Sequence, residues 1–354
     1  MAIKVLIVDD SALIRQLLSE LLSADRDIEV VGTAPDPMVA RDKIKALNPD
    51  VITLDIEMPH MDGLTFLAKL MALRPMPVVV VSTLTQKGAD GAVRALELGA
   101  VDCVAKPLID IRLGVTALGA ELVAKVKAAA GAKVRARAES GTDPRPVGPP
   151  LAFEHRLSSE GWIVAVGAST GGVEALQSLL TMMPASAPAI LITQHMPAGF
   201  TASFAERLDK RCAMSIREAT DGARVLPGHV YIANGNHHLE LARSGAHYRC
   251  RLTDGLPVSG HRPSVDVLFR SVAVAAGKNA TGVILTGMGK DGAEGLLELR
   301  RAGARTLGQD EASCLIYGMP KAAKELGGVE KELPLSRIPQ EILAQSAKAE
   351  ERGK

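Results

Sequence analysis

The chain has 354 residues, of which 47% are hydrophobic and 23% are charged, and its formal net charge is +1. This length predicts about two domains of ordinary globular composition, each large enough to bury its own core. The balanced charge gives no general attraction to nucleic acids or anionic membranes, so DNA binding through a basic surface is not indicated.

The N-terminal segment Met1–Asp10 lacks the basic and apolar regions of a signal peptide. No apolar run in the chain approaches the ~18 residues that cross a bilayer. We therefore expect a cytoplasmic protein without direct membrane insertion. The four cysteines show no Cys-x-x-Cys spacing, which predicts buried free thiols rather than disulfides or a zinc site.

Residues 1 to 115 alternate short apolar runs with amphipathic stretches, for which Leu13, Leu17 and Leu21 give the helical spacing. The apolar runs are Val5–Val8, Val30–Val31, Val51–Leu54, Val78–Val81 and Val101–Ala105. This alternation predicts five βα units around a buried parallel sheet.

Polar side chains follow four of these predicted strands. Asp9 and Asp10 follow the first strand and Asp55 follows the third, so three carboxylates reach the carboxyl edge of the sheet. A divalent cation relieves their mutual repulsion, and Mg²⁺ prefers oxygen ligands. Ser82 and Lys106 end the fourth and fifth strands and add a hydroxyl and an ammonium group. The set predicts a phosphoryl site.

Each of these residues alone has a plainer interpretation: Asp10 as a helix N-cap, Ser82 as a turn former and Lys106 as a solvated lysine. The combination is more specific. It consists of Asp9-Asp10, Asp55-Ile-Glu-Met-Pro-His-Met-Asp-Gly63, Val81-Ser82-Thr83 and Lys106-Pro107. This set resembles a response-regulator receiver domain.

The resemblance implies that Asp55 is the phosphoacceptor. It also implies that Asp9 and Asp10, together with the backbone carbonyl of Glu57, hold Mg²⁺. Asp10 and Asp55 are the residues expected to supply carboxylate oxygens to the metal.

By the same resemblance, Ser82 and Lys106 sense the phosphoryl group. Many receivers have an aromatic switch residue three positions before the lysine, and this chain has Cys103 there.

The composition changes after Leu122. Ala124–Ala138 is rich in Ala, Lys and Arg, and a Pro-rich stretch ends at Pro150. We predict a receiver domain over residues 1–120, a linker over 121–155 and a catalytic domain over 156–350. The first part of the linker can extend the last helix, and the Pro-rich part should be extended. Its basic residues are expected to form a solvated face rather than a partner contact.

Three apolar runs in the second half each lead to a residue that can serve in hydrolysis. Trp162–Val166 precedes Ser169, Ile190–Thr193 precedes His195, and Val283–Thr286 precedes Asp291. A turn and a helical pattern follow each run, which predicts a doubly wound α/β domain with a mostly parallel sheet. His229–Ala233, Asn234-Gly235 and Tyr248–Leu252 predict an antiparallel excursion, and the tail from Ala344 is expected to fray.

Ser169 lies in Gly167-Ala-Ser-Thr-Gly-Gly172, where glycines allow a sharp turn that exposes its hydroxyl. A helix N-cap and a phosphate-binding loop are the alternatives, although neither Gly-x-Gly-x-x-Gly nor Gly-x-x-x-x-Gly-Lys is present. The motif also matches Gly-x-Ser-x-Gly, but α/β-hydrolases order their triad Ser, acid, His.

His195 and Asp291 supply the other two roles of a triad. An aspartate that fixes the histidine tautomer lets the histidine deprotonate the serine and later protonate the leaving group. Alone, His195 is typical of a turn and Asp291 of a helix N-cap. A metal at His237-His238 is disfavoured because adjacent strand residues point to opposite faces.

These segments, together with Arg262–Phe269 and Glu311–Pro320, closely resemble the chemotaxis protein-glutamate methylesterases. The resemblance covers the whole chain and is weakest in the linker. It implies Ser169, His195 and Asp291 as the triad, the Met288 amide in the oxyanion hole and Thr170 beside the nucleophile.

The resemblance further implies a phosphorylation-activated esterase and amidase. The substrates would be glutamate γ-methyl esters, and certain glutamines, on chemoreceptor cytoplasmic domains, and a chemotaxis histidine kinase would be the phosphodonor. Mg²⁺ would serve only receiver phosphorylation, with no cofactor for hydrolysis. We expect a monomer and no nucleic-acid partner. A DNA-binding regulator and a non-catalytic receptor adaptor are the alternatives.

Overall fold

The computed structural model describes residues 2–58, 62–106, 112–134 and 161–352, with the side chains of 112–118 and 348–352 left undescribed. The chain divides into two units, Met1–Thr142 and Asp143–Lys354. Most of the predicted linker, residues 135–155, lies outside the described residues.

The first unit is a sheet of five parallel strands with helices between them. The strands are β1 (Ile3–Val8), β2 (Ile28–Ala34), β3 (Val51–Asp55), β4 (Val78–Ser82) and β5 (Asp102–Ala105). The helices are α1 (Ala12–Ser23), α2 (Pro37–Leu47), α3 (Gly63–Leu73), α4 (Gln86–Glu97) and α5 (Arg112–Ala130). The strand order is β2-β1-β3-β4-β5. The predicted (βα)5 fold is confirmed.

Polar side chains begin these helices. The Ser11 hydroxyl accepts from the Ile14 amide at α1, and the Asp36 carboxylate accepts from two amides of α2. The N-cap of α1 is therefore Ser11 and not Asp10. This leaves the Asp10 carboxylate at the sheet edge without a capping role.

Helix α5 continues ten residues past the expected boundary at 120, and its residues Lys125 and Lys127 contact carboxylates of the first unit. The Lys125 Nζ lies 3.1 Å from Asp102 Oδ1 and 3.0 Å from Glu121 Oε1. Lys127 contacts two carboxylates of the α1–β2 loop, at 2.8 Å each. The expectation of a solvated face was wrong for Lys125, whose side chain is largely buried beside Asp102. Lys127 is partly exposed and pairs with carboxylates at the surface.

The second unit has a seven-stranded sheet and a separate hairpin. The strands are β6 (Ile163–Ala168), β7 (Ala189–Gln194), β8 (Ser215–Glu218), β9 (His229–Ile232), β10 (His238–Ser244), β11 (His247–Thr253), β12 (Ala280–Ile284), β13 (Arg305–Gln309) and β14 (Lys331–Leu333). The helices are α6 (Gly172–Thr181), α7 (Phe200–Asp209), α8 (Val265–Ala275), α9 (Ala293–Arg301), α10 (Met319–Glu325) and α11 (Ile338–Arg352), with short 3₁₀ turns at Gly277–Asn279 and Leu335–Arg337.

All seven strands of this sheet pair in parallel, in the order β14-β13-β12-β6-β7-β9-β8. Strands β6, β7 and β12 are buried on both faces, as their continuous apolar runs predict. The order reverses between β6 and β12, and such a switch point is where open α/β sheets build their sites. The doubly wound fold is confirmed.

One expectation for this unit was wrong. His229–Ala233 was predicted to be antiparallel, yet β9 runs parallel between β7 and β8. The chain runs from α7 to β8 at the edge of the sheet and then returns to β9, which lies between β8 and β7. The Asn234-Gly235 pair after β9 therefore starts no hairpin within the seven-stranded sheet. The antiparallel hairpin is β10–β11. The tail from Ala344, for which fraying was predicted, belongs to helix α11 as far as Arg352, and residues 353–354 lie outside the described residues.

The four cysteines are free thiols, as predicted, and Cys103, Cys250 and Cys314 are buried. Among the helices in the described part of the chain, none combines the length and apolarity needed to cross a membrane.

Candidate active site

The register of the sheet brings Ser169 and His195 together. Ala168 at the end of β6 pairs with Gln194 at the end of β7, so the next residue of each strand lies at the same edge. The His195 amide donates to the Ala168 carbonyl at 3.1 Å, and its Nδ1 lies 3.1 Å from Ser169 Oγ. His195 is 9% exposed. The predicted nucleophile and base are thus within hydrogen-bond distance.

A glycine turn holds Ser169 in place. The Ser169 amide donates to the Thr286 carbonyl of the neighbouring strand end at 3.1 Å, and the Gly172 amide donates to the Ser169 carbonyl at 2.7 Å. Gly171 has φ +78°, a left-handed conformation, and a Cβ there would lie 2.7 Å from Leu315 Cβ. The N-cap of α6 is Gly171, so Ser169 is not the cap of this helix.

Asp291 is the third member of the set. Its Oδ2 lies 2.8 Å from His195 Nε2. The start of α8 supplies three further donors: the Ser264 hydroxyl at 2.7 Å, the Val265 amide at 2.7 Å and the Asp266 amide at 3.2 Å. The cap of α9 is Gly292, so the alternative of Asp291 as that helix cap does not hold.

These donors explain why Asp291 is ionised although it is only 1% exposed. Burial alone would raise the pKa of this carboxyl. The hydrogen bond and charge of His195, with the donors of α8, outweigh burial and lower the pKa of Asp291 to about 2. A helix N-terminus favours the negative charge in the same way.

The ionised carboxylate fixes the proton on the histidine. A carboxylate accepts hydrogen bonds and donates none, so His195 Nε2 carries the hydrogen that faces Asp291. The lone pair of Nδ1 then faces the Ser169 hydroxyl. In chymotrypsin-type triads Nε2 faces the serine and Nδ1 faces the aspartate, and here the two nitrogens are interchanged. One nitrogen still accepts from the serine, and the other still donates to the aspartate.

Gln194 links the predicted nucleophile to the predicted base, and the sequence analysis missed it. Its Nε2 donates to the carbonyl of Ser169 at 3.0 Å and to that of His195 at 3.1 Å. Gln194 is 3% exposed. A buried amide at the end of an apolar strand was the available signal, since buried polar groups need partners.

Met288 and Thr170 lie around the nucleophile. A Cβ on Gly287 would lie 2.8 Å from Ser169 Cβ, so the backbone leading into Met288 passes next to the serine. The Met288 side chain is exposed, whereas Thr170 is buried and its carbonyl accepts from the Thr286 hydroxyl at 3.1 Å.

The residues of the predicted phosphoryl site also come together, in the first unit. Oxygens of Asp9, Asp10 and Asp55 lie within 4.8 Å of one another. Lys106 Nζ lies 2.9 Å from Asp9 Oδ2 and 2.7 Å from Asp55 Oδ2. Burial raises the pKa of Asp9 against the opposing effect of Lys106, and the two carboxylates raise the pKa of Lys106 despite its burial.

The donor set of this edge fits a hard cation. It offers oxygens alone, and one of the three carboxylates, that of Asp10, is exposed to solvent. The Glu57 amide donates to Asp55 Oδ1 at 3.0 Å, which orients the backbone of Glu57 beside the predicted phosphoacceptor.

Ser82 and Cys103 lie on the neighbouring strands. The Ser82 hydroxyl donates to the Gly88 carbonyl of α4 at 3.0 Å, so sensing a phosphoryl group would require it to leave this partner. Burial raises the pKa of Cys103 to about 12. A buried, neutral thiol therefore fills the place of the aromatic switch.

His237 and His238 bind separate partners. His237 Nδ1 contacts Asp254, whereas His238 accepts from the Ser264 amide at 3.1 Å and donates to the Leu256 carbonyl at 3.0 Å. His238 supports the start of α8 through Ser264.

Comparisons with known proteins agree with this arrangement. Residues 164–342 match the family model described as CheB methylesterase, and residues 5–117 match that of the response regulator receiver domain. The protein-glutamate methylesterase/protein-glutamine glutaminase of Pectobacterium atrosepticum is 58% identical over 345 residues, covering 97% of each chain. Its namesake in Salmonella typhimurium is 57% identical, covering 97% of this chain and 96% of the relative.

A solved structure gives the same picture for the second unit. The CheB methylesterase catalytic domain of Thermotoga maritima superposes with a TM-score of 0.51 and 37% sequence identity, over 52% of this chain and 98% of that one.

Proposed function

The chain belongs to the family of receiver-linked protein-glutamate methylesterases and protein-glutamine glutaminases, and we propose that Ser169, His195 and Asp291 are its catalytic triad. The enzyme is a phosphorylation-activated hydrolase of chemotaxis adaptation that removes methyl groups from receptor glutamate esters and deamidates certain glutamines. The observation that carries the triad is the pair of contacts at His195, 3.1 Å to Ser169 Oγ and 2.8 Å to Asp291 Oδ2.

Acylation begins with the serine hydroxyl. His195 Nδ1 takes the proton of Ser169 Oγ as the oxygen attacks the γ-carbonyl carbon of the methylated glutamate. The resulting imidazolium is stabilised by Asp291 through Nε2–H. The proton on Nδ1 then passes to the methoxy oxygen, the C–O bond breaks, and methanol leaves. For a glutamine substrate, ammonia leaves instead.

Deacylation repeats the cycle with water. His195 Nδ1 takes a proton from water, whose oxygen attacks the acyl-serine, and returns the proton to Ser169 Oγ as the ester bond breaks. The receptor keeps a glutamate carboxylate. Both tetrahedral intermediates carry an oxyanion. We propose that the Met288 amide donates a hydrogen bond to it, beside the turn before α6 that includes Thr170.

We further propose that the first unit takes its phosphoryl group on Asp55 from a chemotaxis histidine kinase. Asp9, Asp10 and Asp55, with the Glu57 carbonyl, would hold Mg²⁺, which when bound neutralises the negative charge gathered there. Lys106 and Ser82 would pair with the phosphoryl oxygens. Hydrolysis in the second unit needs no cofactor in this scheme.

One chain supplies all three triad residues, which supports action as a monomer. The proposed substrate is the cytoplasmic part of a chemoreceptor, so we place the reaction in the cytoplasm. A DNA-binding output is disfavoured because residues 164–342 match the methylesterase family model.

Labelling with a fluorophosphonate tests the triad against a non-catalytic adaptor. An activated serine becomes phosphonylated at Ser169, and the modified peptide is identified by mass spectrometry. We expect the label on the wild type, none on Ser169→Ala, and very slow labelling of His195→Ala. Labelling of Ser169→Ala to the wild-type extent would place the reactive serine elsewhere.

A further inference from the structure

The ring of His261 lies flat on the ring of His195. The two centroids are 3.8 Å apart, and the planes differ by 5°. We propose that His261 is a positioning residue for the reaction, which holds the imidazole of the general base in the plane that joins Ser169 to Asp291. This inference rests on the proposed role of His195.

The general base needs such support on its faces. Two hydrogen bonds fix the in-plane directions of the His195 ring, toward Ser169 Oγ and toward Asp291 Oδ2. The Ser169 hydroxyl must leave this plane to attack a substrate, and then one of the two restraints is gone. A ring packed at van der Waals distance limits tilting at that moment.

A tight turn presents His261 to the base. Val258 and His261 exchange both backbone hydrogen bonds, at 3.0 and 2.9 Å. The two residues between them, Ser259 and Gly260, have φ of +53° and +81°, the positive pair that a type I′ turn requires. Such a turn has little freedom, so the position of the His261 backbone is defined.

The orientation of the His261 ring is fixed as well. Its Nδ1 lies 2.9 Å from the Ser259 carbonyl oxygen, and a carbonyl only accepts, so Nδ1 carries a hydrogen. Three residues further along, Ser264 begins the group of donors that holds Asp291. One segment therefore sets both the tilt of the base and the position of its orienting acid.

A metal site is the competing interpretation of this cluster. One nitrogen or oxygen each of His195, His261 and Asp291 lies within 4.8 Å of the others. Histidine lone pairs lie in the ring plane, so two stacked, nearly parallel rings cannot both aim at one ion. Both ring nitrogens of His195 also have partners already. The stack therefore favours positioning over metal binding.

The test compares His261→Ala with His261→Phe in the intact protein, by methanol release from a methylated receptor. Loss of the ring should lower kcat about tenfold with KM changed less than twofold. Phenylalanine restores a flat ring without a titratable group, so it should keep kcat within threefold of the wild type. A thermal melt of each variant checks folding.

A second pair of variants tests the position of the His261 ring without replacing the ring. A Cβ at Gly260 would meet no atom within 4 Å, so Gly260→Ala strains only the positive φ of the turn. Gly245, in the β10–β11 loop, has φ +62° and equally open surroundings, which makes Gly245→Ala the matched control. Gly260→Ala should lower kcat severalfold, and Gly245→Ala should leave it unchanged.

Two outcomes would overturn the positioning role: wild-type kcat in folded His261→Ala, or a Phe variant as slow as the Ala variant. In either case, methanol release and Ser169 labelling by the wild-type protein would still support the proposed hydrolase. If the wild type itself neither releases methanol nor becomes labelled, the proposed function fails and not the stack alone.

Discussion

Asp291 is a buried charge that the surrounding residues make tolerable. An unpaired carboxylate in the protein interior is unfavourable by several kcal/mol, roughly, and is stable only with partners. Asp291 has four donors within 3.2 Å, from His195, Ser264, Val265 and Asp266. The same contacts that keep it ionised also fix its two oxygens, and through them the proton of His195.

Removing the nucleophile or the base should have nearly the same effect. We expect Ser169→Ala and His195→Ala each to lower kcat for methanol release by about 10⁵ to 10⁶, because the two groups act as one unit. The double variant should be no slower than either single one. More than a tenth of wild-type activity in folded Ser169→Ala would remove Ser169 as the nucleophile.

The Asp291→Asn variant should fold and be slower by about 10⁴. The NH₂ group of asparagine donates hydrogen bonds and cannot accept them. It therefore either faces one of the donors at the start of α8, or faces His195 and favours the tautomer that carries its hydrogen on Nδ1. Steady-state kinetics of methanol release measure the effect. A rate equal to that of the wild type would show that another acid orients the base.

The lowered pKa of Asp291 predicts an acid-dependent stability. The folded-state pKa of about 2 lies below the ordinary value of 3.8, so the stabilisation is complete above pH 4. It is lost as the pH falls from about 4 to 2, and a two-unit shift corresponds to roughly 2 to 3 kcal/mol.

Denaturant unfolding of the wild type and of Asp291→Asn across this range gives the measurement. The difference between their free energies of unfolding should shrink as the pH falls. The pKa of Asp266 is raised by burial and also by the charge of Asp291, so the same comparison in an Asp266→Asn background isolates the titration of Asp291. A difference that stays constant from pH 5 to 2.5 would contradict the account.

The position of a candidate site residue could be predicted from the sequence where that residue directly follows or ends a buried strand. Ser169, His195, Asp55 and Asp9 all follow apolar runs, and parallel strands end at one edge. Contacts made across the chain were not predictable. The donor from Ser264 to Asp291 spans 27 residues, and its local sequence shows only a helix cap.

Among the elements, β6, β7 and β12 determine the site. Their continuous apolar runs were recognisable because all of their residues are buried. Strands β8 and β14 escaped prediction because they are short, partly exposed edge strands with little periodicity. Strand β13 is buried, but its sequence Arg-Thr-Leu-Gly-Gln contains no apolar run. The direction of β9 was missed because side-chain alternation is the same in parallel and antiparallel strands.

The strand ends pack so closely that a single methyl group should disturb them. A Cβ on Gly287 would lie 2.3 Å from Met319 Sδ and 2.8 Å from Ser169 Cβ. We expect Gly287→Ala to lower kcat by about 10²-fold by displacing the nucleophile and to destabilise the protein by about 1 to 3 kcal/mol.

Gly161→Ala is the matched control for that experiment. Its Cβ would have only an ordinary contact, 3.8 Å from Pro227 Cγ, at the start of β6. Its kcat and melting temperature should match the wild type. If Gly287→Ala is as active as Gly161→Ala, the loop after β12 has more freedom than the packing indicates.

The whole molecule joins a receiver to a hydrolase, and each half was predictable because its candidate site residues lie at strand ends. The domain boundaries remain a prediction, and helix α5 illustrates the difficulty. Its Ala- and Lys-rich sequence is typical of a linker, yet Lys125 and Lys127 bind carboxylates of the receiver. Composition alone does not show which charges a tertiary contact will neutralise.

Control of the hydrolase by the receiver is a population shift if phosphorylation changes the fraction of active molecules. The gain then cannot exceed the inverse of the active fraction, so a ~10-fold activation means that about 10% of the unphosphorylated protein is active. The size of the activation therefore measures the resting equilibrium.

The most direct measurement is methanol release from a methylated chemoreceptor by the intact protein, with and without a small-molecule phosphodonor and Mg²⁺. We expect a basal rate that rises with phosphodonor in the wild type. Asp55→Ala should keep the basal rate without the rise, and Ser169→Ala should release no methanol in either condition. Equal rates with and without phosphodonor, while Asp55 is demonstrably phosphorylated, would contradict this expectation.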